Sequence, residues 1–140
     1  MYLIDTNVIS EARKQGRANP GVIAFLEQVA ARDEAVYLSV VSVGELRRGV
    51  ELIRNRGDVP QAQLLEAWLT DILDQYGDNI LASDSETAQV WGRLRVPHAE
   101  HELDKQIAAT ALVNDLTVVT RNTADFGGTG VKLKNPFLPA

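Results

Sequence analysis

Short apolar runs alternate along this chain with stretches whose apolar residues recur every three or four positions, and that alternation decides the fold class. The runs are residues 2–5, 36–38, 79–82 and 116–120, with Val131-Lys132-Leu133 as a short last one. Runs of this length and character read as buried parallel strands. Between them lie helical patterns. One runs from Asn7 to Lys14, and a second follows Pro20, which suits a first helical turn, through Val22, Ile23, Leu26, Val29 and Ala30. A third is capped by Ser39 or Ser42 and continues through Leu46, Val50 and Ile53 to Arg56. Gly57-Asp58-Val59-Pro60 breaks it, and Leu64, Leu65, Trp68, Leu69, Ile72 and Leu73 form the next. Asp84 or Ser85 starts one with Ala88, Val90, Trp91 and Leu94, and Asp104 opens the last, Ile107 to Val113. Strands and helices in this order predict a three-layer α/β/α sandwich on a mostly parallel sheet. With no repeat, linker or low-complexity tract, residues 1–140 read as one domain.

Composition narrows the functional classes. At 45% hydrophobic and 24% charged residues, the chain has ordinary globular character. It has no cysteine, which removes disulfides, thiolate catalysis and cysteine-based zinc sites, and fits a reducing, cytoplasmic setting. No basic leader with an apolar core precedes residue 2, and no apolar stretch approaches the roughly 20 residues that span a bilayer, so no membrane role is expected. The net charge of −5 is unusual for a nucleic-acid binder, whose phosphate contacts need basic groups. A metal nuclease, however, must carry acids in its site, and bound cations offset part of that charge.

The acids are placed where such a site is built. Asp5 directly follows Leu3-Ile4, so it lies just outside the carboxyl end of a buried strand, the edge where open α/β sheets hold their ligands. Glu45 lies in the first turns of its helix between core-facing Val43 and Leu46, and a wholly solvated glutamate is unnatural there. Asp104 stands at a helix N-terminus, where a carboxylate also serves as a cap. The small residues Ala108 to Ala111 behind it let that helix pack closely on a sheet. Asn122 and Asp125 leave the 116–120 strand through a turn toward the same edge. Oxygen donors gathered from distant segments are the mark of a hard-cation site. Phosphodiester hydrolysis needs an activated water and relief of charge on phosphate, and a divalent cation supplies both. Crowded carboxylates repel one another, so raised carboxylate pKa values are expected without a cation.

Four motifs, in order, carry a resemblance. They are Ile4-Asp5-Thr6-Asn7, Gly44-Glu45-Leu46, Asp104-x-x-Ile107-Ala108-Ala109-Thr110-Ala111, and Val119-Thr120-Arg121-Asn122-x-x-Asp125-Phe126. Together they resemble the PIN domain, and in particular the VapC-type toxins of type II toxin–antitoxin pairs, over essentially the full length. The resemblance implies a Mg2+- or Mn2+-dependent endoribonuclease acting on RNA, a homodimer, and a cognate antitoxin that blocks the site. By the same resemblance the metal acids fall on Asp5 and Asp104, the helix acid on Glu45 and the hydroxyl-bearing position on Thr6. The departure is Asn122, where many relatives have Asp. Either Asp125 compensates and completes a catalytic set with Asp5, Glu45 and Asp104, or a second metal binds poorly.

Arg47 and Arg48, with Arg54 and Arg56 beyond them, form the most basic stretch and read as a phosphate-tracking rim beside Glu45. Arg121, Asn122 and Thr6 join Arg47 and Arg48 as candidate substrate contacts. His98 and His101 read as residues of a solvated loop rather than a zinc pair, since only Glu100 and Glu102 are near in sequence as further ligands. Leu64, Leu65, Trp68, Leu69 and Ile72 exceed what one sheet face needs, which points to a twofold interface. Two rival functions stand beside the nuclease. One is a binding module of this fold whose activity is lost at the fourth position. The other is a phosphatase-like hydrolase, which calls for histidine ligands or a nucleophilic aspartate in a longer motif.

Overall fold

The computed structural model describes residues 1–139. Five parallel strands, β1 (Tyr2–Ile4), β2 (Val36–Ser39), β3 (Ile80–Leu81), β4 (Thr117–Val119) and β5 (Leu133–Lys134), form one sheet in the order β3-β2-β1-β4-β5. Six α-helices surround it: α1 (Thr6–Ala12), α2 (Pro20–Ala31), α3 (Val40–Asn55), α4 (Val59–Tyr76), α5 (Ser85–Leu94) and α6 (Glu102–Val113). The expected α/β architecture is present; β1, β3 and β4 are shorter than their apolar runs, and β2 extends one residue further, to Ser39. The final strand lies two residues later than its apolar run, because Leu133 and Lys134 pair with Val118 and Val119.

Strand alternation divides the core. Leu3 and Val118 point to one side, where Ile107, Ala108 and Ala111 of α6 and Phe126 cover them. Ile4, Leu38 and Val119 point to the other, against Val8 and Ile9 of α1, Val22, Phe25 and Val29 of α2, Leu46 and Val50 of α3, and Leu69 of α4. The alanines of α6 are fully buried, so that helix lies close on the sheet as its small side chains allow.

Polar residues set the helix starts. The side chains of Asp5, Asn19, Ser39, Asp58 and Asp84 accept backbone N–H groups at the starts of α1, α2, α3, α4 and α5. Asp58 is therefore a start signal within the expected breaker Gly57 to Pro60. The exception is α6. It begins at Glu102, two residues before the expected start, and Asp104 is its third residue rather than its first. His101 occupies the cap position in the left-handed conformation, φ 58°, with no capping side-chain bond.

The chain builds β1, β2 and β3 outward in one direction and then returns to place β4 on the other flank of β1. Where the order reverses, the carboxyl ends of β1 and β4 open a crevice. Asp5 N–H donates to the Val119 carbonyl at 2.9 Å across that point.

Candidate active site

Asp5 is almost fully buried at the crevice, and both its oxygens are held. Oδ1 accepts the Thr6 N–H at 2.8 Å, while Oδ2 accepts the Thr120 hydroxyl at 2.8 Å and Asn7 Nδ2 at 3.2 Å. Thr120 is fully buried, and its hydroxyl oxygen also accepts the Asn122 N–H at 3.0 Å and Asn7 Nδ2 at 3.3 Å. Asn7 Oδ1 in turn accepts the Arg121 N–H at 3.1 Å. These bonds tie the turn after β1 to the turn after β4. Asp5 thus caps α1, and three donors orient its carboxylate at the crevice.

Glu45, half-buried in α3, accepts the Thr6 hydroxyl at 3.2 Å. Asp104, from α6, and Asp125, from the turn Thr123–Phe126, approach from the other side of the sheet edge. The charges meet. Burial raises the Asp5 pKa above the ordinary carboxylate value; the Thr120, Thr6 and Asn7 bonds oppose this, and Asp125 adds to it. Burial likewise raises Glu45, the Thr6 hydroxyl opposes the rise, and the charge of Asp5 adds to it. Asp104 is pushed up to about 6, first by burial and then by Asp5, Asp125 and Glu45, with His101 pulling the other way. Four carboxylates contributed by segments 120 positions apart, from Asp5 to Asp125, therefore feel one another's charge. The arrangement can hold a hard cation, whose charge would relieve that repulsion.

Among the described residues, one group has metal-ligand spacing. His101, Asp104 and Asp125 each bring an atom to within 4.8 Å of the others. His101 Nδ1 lies 4.0 Å from Asp104 Oδ2 and 4.0 Å from Asp125 Oδ1. Asp5 is outside that trio.

A family model described as the PIN domain matches residues 2–129. The chain belongs to the PIN-domain family. It is 37% identical over 142 residues to the toxin FitB of Neisseria gonorrhoeae, covering 98% of this chain and 99% of that protein. It is 30% identical over 147 residues to the VapC ribonuclease Y4jK of Sinorhizobium fredii, covering all of both. The crystal structure of FitAcB from Neisseria gonorrhoeae superposes with a TM-score of 0.83 at 37% identity, over 97% of this chain and 98% of that one.

Within this PIN domain the expected acids Asp5, Glu45, Asp104 and Asp125 converge, with Thr6 between the first two. The arginines of the expected rim differ in their partners. Arg47 is engaged by Glu66 at 2.7 Å and Glu51 at 3.3 Å, and Arg54 binds the same two acids, so the pair is bound into the α3–α4 contact. Arg48 stays exposed, and its charge reaches Glu45. Arg121 is exposed at the crevice with its guanidinium 4.9 Å from the Phe137 ring. Asn122 is exposed and caps nothing with its side chain.

His101 is the exposed residue before α6 that its sequence setting suggested, but with α6 starting early and its cap left-handed it also lies beside Asp104 and Asp125. Its position three residues before Asp104 was the available signal. Thr120 carried no signal beyond its strand-end position, since its partner is 115 residues away. The surplus apolar face of α4 also resolves differently. Leu69 is buried, and Leu65, Trp68 and Ile72 pack on the core, which leaves Leu64 exposed together with Val59 of α4 and Leu52 of α3. Among the described residues no helix is long and apolar enough to cross a membrane.

Proposed function

We propose that this protein is a divalent-cation-dependent endoribonuclease, the toxin of a toxin–antitoxin pair, working in the cytoplasm on RNA. The observation that carries this reading is the convergence of Asp5, Glu45, Asp104 and Asp125 on a PIN domain, with the pKa values of Asp5, Glu45 and Asp104 raised. Like charges crowded at a crevice cost stability unless a cation joins them, and an all-oxygen donor set suits Mg2+ or Mn2+. Likeness to proteins named toxin FitB and VapC ribonuclease supports the substrate and the role.

Asp5 and Asp104 would hold the cation, with Asp125 beside them and Asn122 lending a neutral oxygen. When bound, the ion would activate water and neutralise charge on the scissile phosphate. The chain's own residues do the rest. Thr120 and Asn7 keep Asp5 Oδ2 aimed, and Thr6 fixes Glu45 by donating to its carboxylate. Glu45, with its pKa raised by burial, is placed as a candidate to exchange a proton with the attacking water. Arg48 and Arg121 are the exposed cations available to the RNA backbone. A protein antitoxin would act by covering this crevice. The exposed Leu52, Val59 and Leu64 on α3 and α4 support a homodimer through that face.

The test is cleavage of single-stranded RNA by the purified protein with and without Mg2+ or Mn2+, beside Asp5→Asn. Metal-dependent cleavage lost in the variant is expected. RNA binding with no cleavage under any ion would instead support a binding module.

A further inference from the structure

We propose that His101 supplies a nitrogen ligand beside Asp104 and Asp125, so that this corner selects a borderline transition ion such as Mn2+ over Mg2+. The proposal rests on the metal-dependent reading above and adds the selectivity of the site.

The spacing suits an ion. Metal–ligand bonds of about 2.1 Å place neighbouring ligands about 3 Å apart and opposite ones about 4.2 Å apart. The trio lies within 4.8 Å, so small side-chain adjustments enclose an ion. The donor types matter as much. Mg2+ takes oxygen ligands in a demanding octahedron and keeps its waters, whereas imidazole suits the later first-row ions. A neutral imidazole also adds a donor without adding to the carboxylate repulsion. It stands in the corner where Asn122 brings no charge.

The backbone on both sides of His101 is anchored, which fixes the point from which its half-exposed imidazole projects. Buried Lys105 donates through Nζ to the His98 carbonyl, and its N–H donates to the His101 carbonyl at 2.9 Å. Trp91 Nε1 donates to the Glu102 carbonyl at 3.1 Å, and Arg95 pairs with the Glu102 carboxylate at 3.4 Å. The chain has only two histidines, so a nitrogen signal on a bound ion is attributable.

The experiment titrates the purified full chain with Mn2+ and with Mg2+ by calorimetry, and records electron spin-echo modulation from 14N on the Mn2+-loaded protein. The variants are His101→Gly, which suits the positive φ, His101→Asn, which tolerates it and offers oxygen, and His98→Gln as control. In His101→Gly, Mn2+ affinity should fall about tenfold while Mg2+ affinity stays within about twofold, which also shows that the variant is folded. The 14N modulation should be present in wild type and His98→Gln and absent from both His101 variants. Modulation that persists without His101, or equal losses for both ions, overturns the nitrogen ligand and leaves the metal site standing. Failure of both ions to bind wild type overturns both readings.

Discussion

Two clusters of carboxylates in this molecule are built on opposite principles. On the exposed contact between α3 and α4, Glu51 and Glu66 each face Arg47 and Arg54. Hydrogen bonds from those arginines lower both acids' pKa values, and the arginines' own values rise. At the crevice, Asp5, Glu45 and Asp104 are withdrawn from water beside one another, and all three values rise. The first cluster is complete as it stands. The second is held in place by Thr6, Asn7 and Thr120, which orient its acids without neutralising them. Both lie partly on α3, with Glu45 and Arg47 two positions apart, so helix position alone does not separate a site from a strut. What separates them is whether compensating charge is supplied by the protein.

The largest expected effect breaks that contrast at its functional end. Asp5→Asn or Asp104→Asn should lower metal-dependent RNA cleavage by about a thousandfold, since losing a ligand costs several kcal/mol of charge stabilisation. Glu66→Gln should leave cleavage within about twofold, because that acid serves a surface pair. Initial rates on a labelled single-stranded RNA, with circular dichroism to check folding, distinguish the clusters. Equal losses would erase the distinction.

The next effect concerns orientation. Thr120→Val keeps the shape of a fully buried side chain but removes the hydroxyl that donates to Asp5 and accepts from Asn7 and Asn122. Unsatisfied buried groups cost about 1–3 kcal/mol, so urea unfolding midpoints should fall, and they should fall less for Glu66→Gln.

The pH dependence gives the two clusters opposite signs. An acid whose folded pKa is raised binds more protons in the native state than in the unfolded chain between the two values. Its contribution to stability is therefore greatest below the unfolded value and declines as pH rises. For Asp104 the window runs from 3.8 to about 6. Metal-free protein should lose stability across that range, and Mn2+ should flatten the loss. Asp104→Asn should raise metal-free stability at pH 7 by about 1 kcal/mol after allowance for solvent screening. Glu51 and Glu66, with lowered values, act oppositely and weakly, since they are exposed. Thermal melts from pH 4 to 7 with and without Mn2+ test this, and a rising metal-free curve in Asp104→Asn's parent would contradict it.

The smallest effect tests the fourth corner. Asn122→Asp should tighten Mn2+ binding and Asp125→Ala should loosen it, each by about tenfold or less, as expected of groups that share an ion with stronger ligands. Calorimetric titrations that leave both affinities unchanged would make that corner structural.

The alternation of short apolar runs with helical periods was enough to read the α/β class and every principal element, because burial on both faces of a parallel sheet is written directly in local composition. Asp5, Glu45 and Asp104 were legible for a related reason: each is an acid at a strand end or helix start, where an apolar neighbourhood makes it conspicuous. What the local pattern could not determine was who faces whom. His101 met Asp104 and Asp125 only because α6 begins at Glu102 and β4 returns beside β1. Arg47 is paired across the α3–α4 contact because α4 folds back to bring Glu66, 19 positions away, to 2.7 Å. Leu65, Trp68 and Ile72 found core partners for the same reason. Periodicity reports that a side chain must be buried or paired. The partner is chosen by long-range packing, whose contacts have no trace in neighbouring residues.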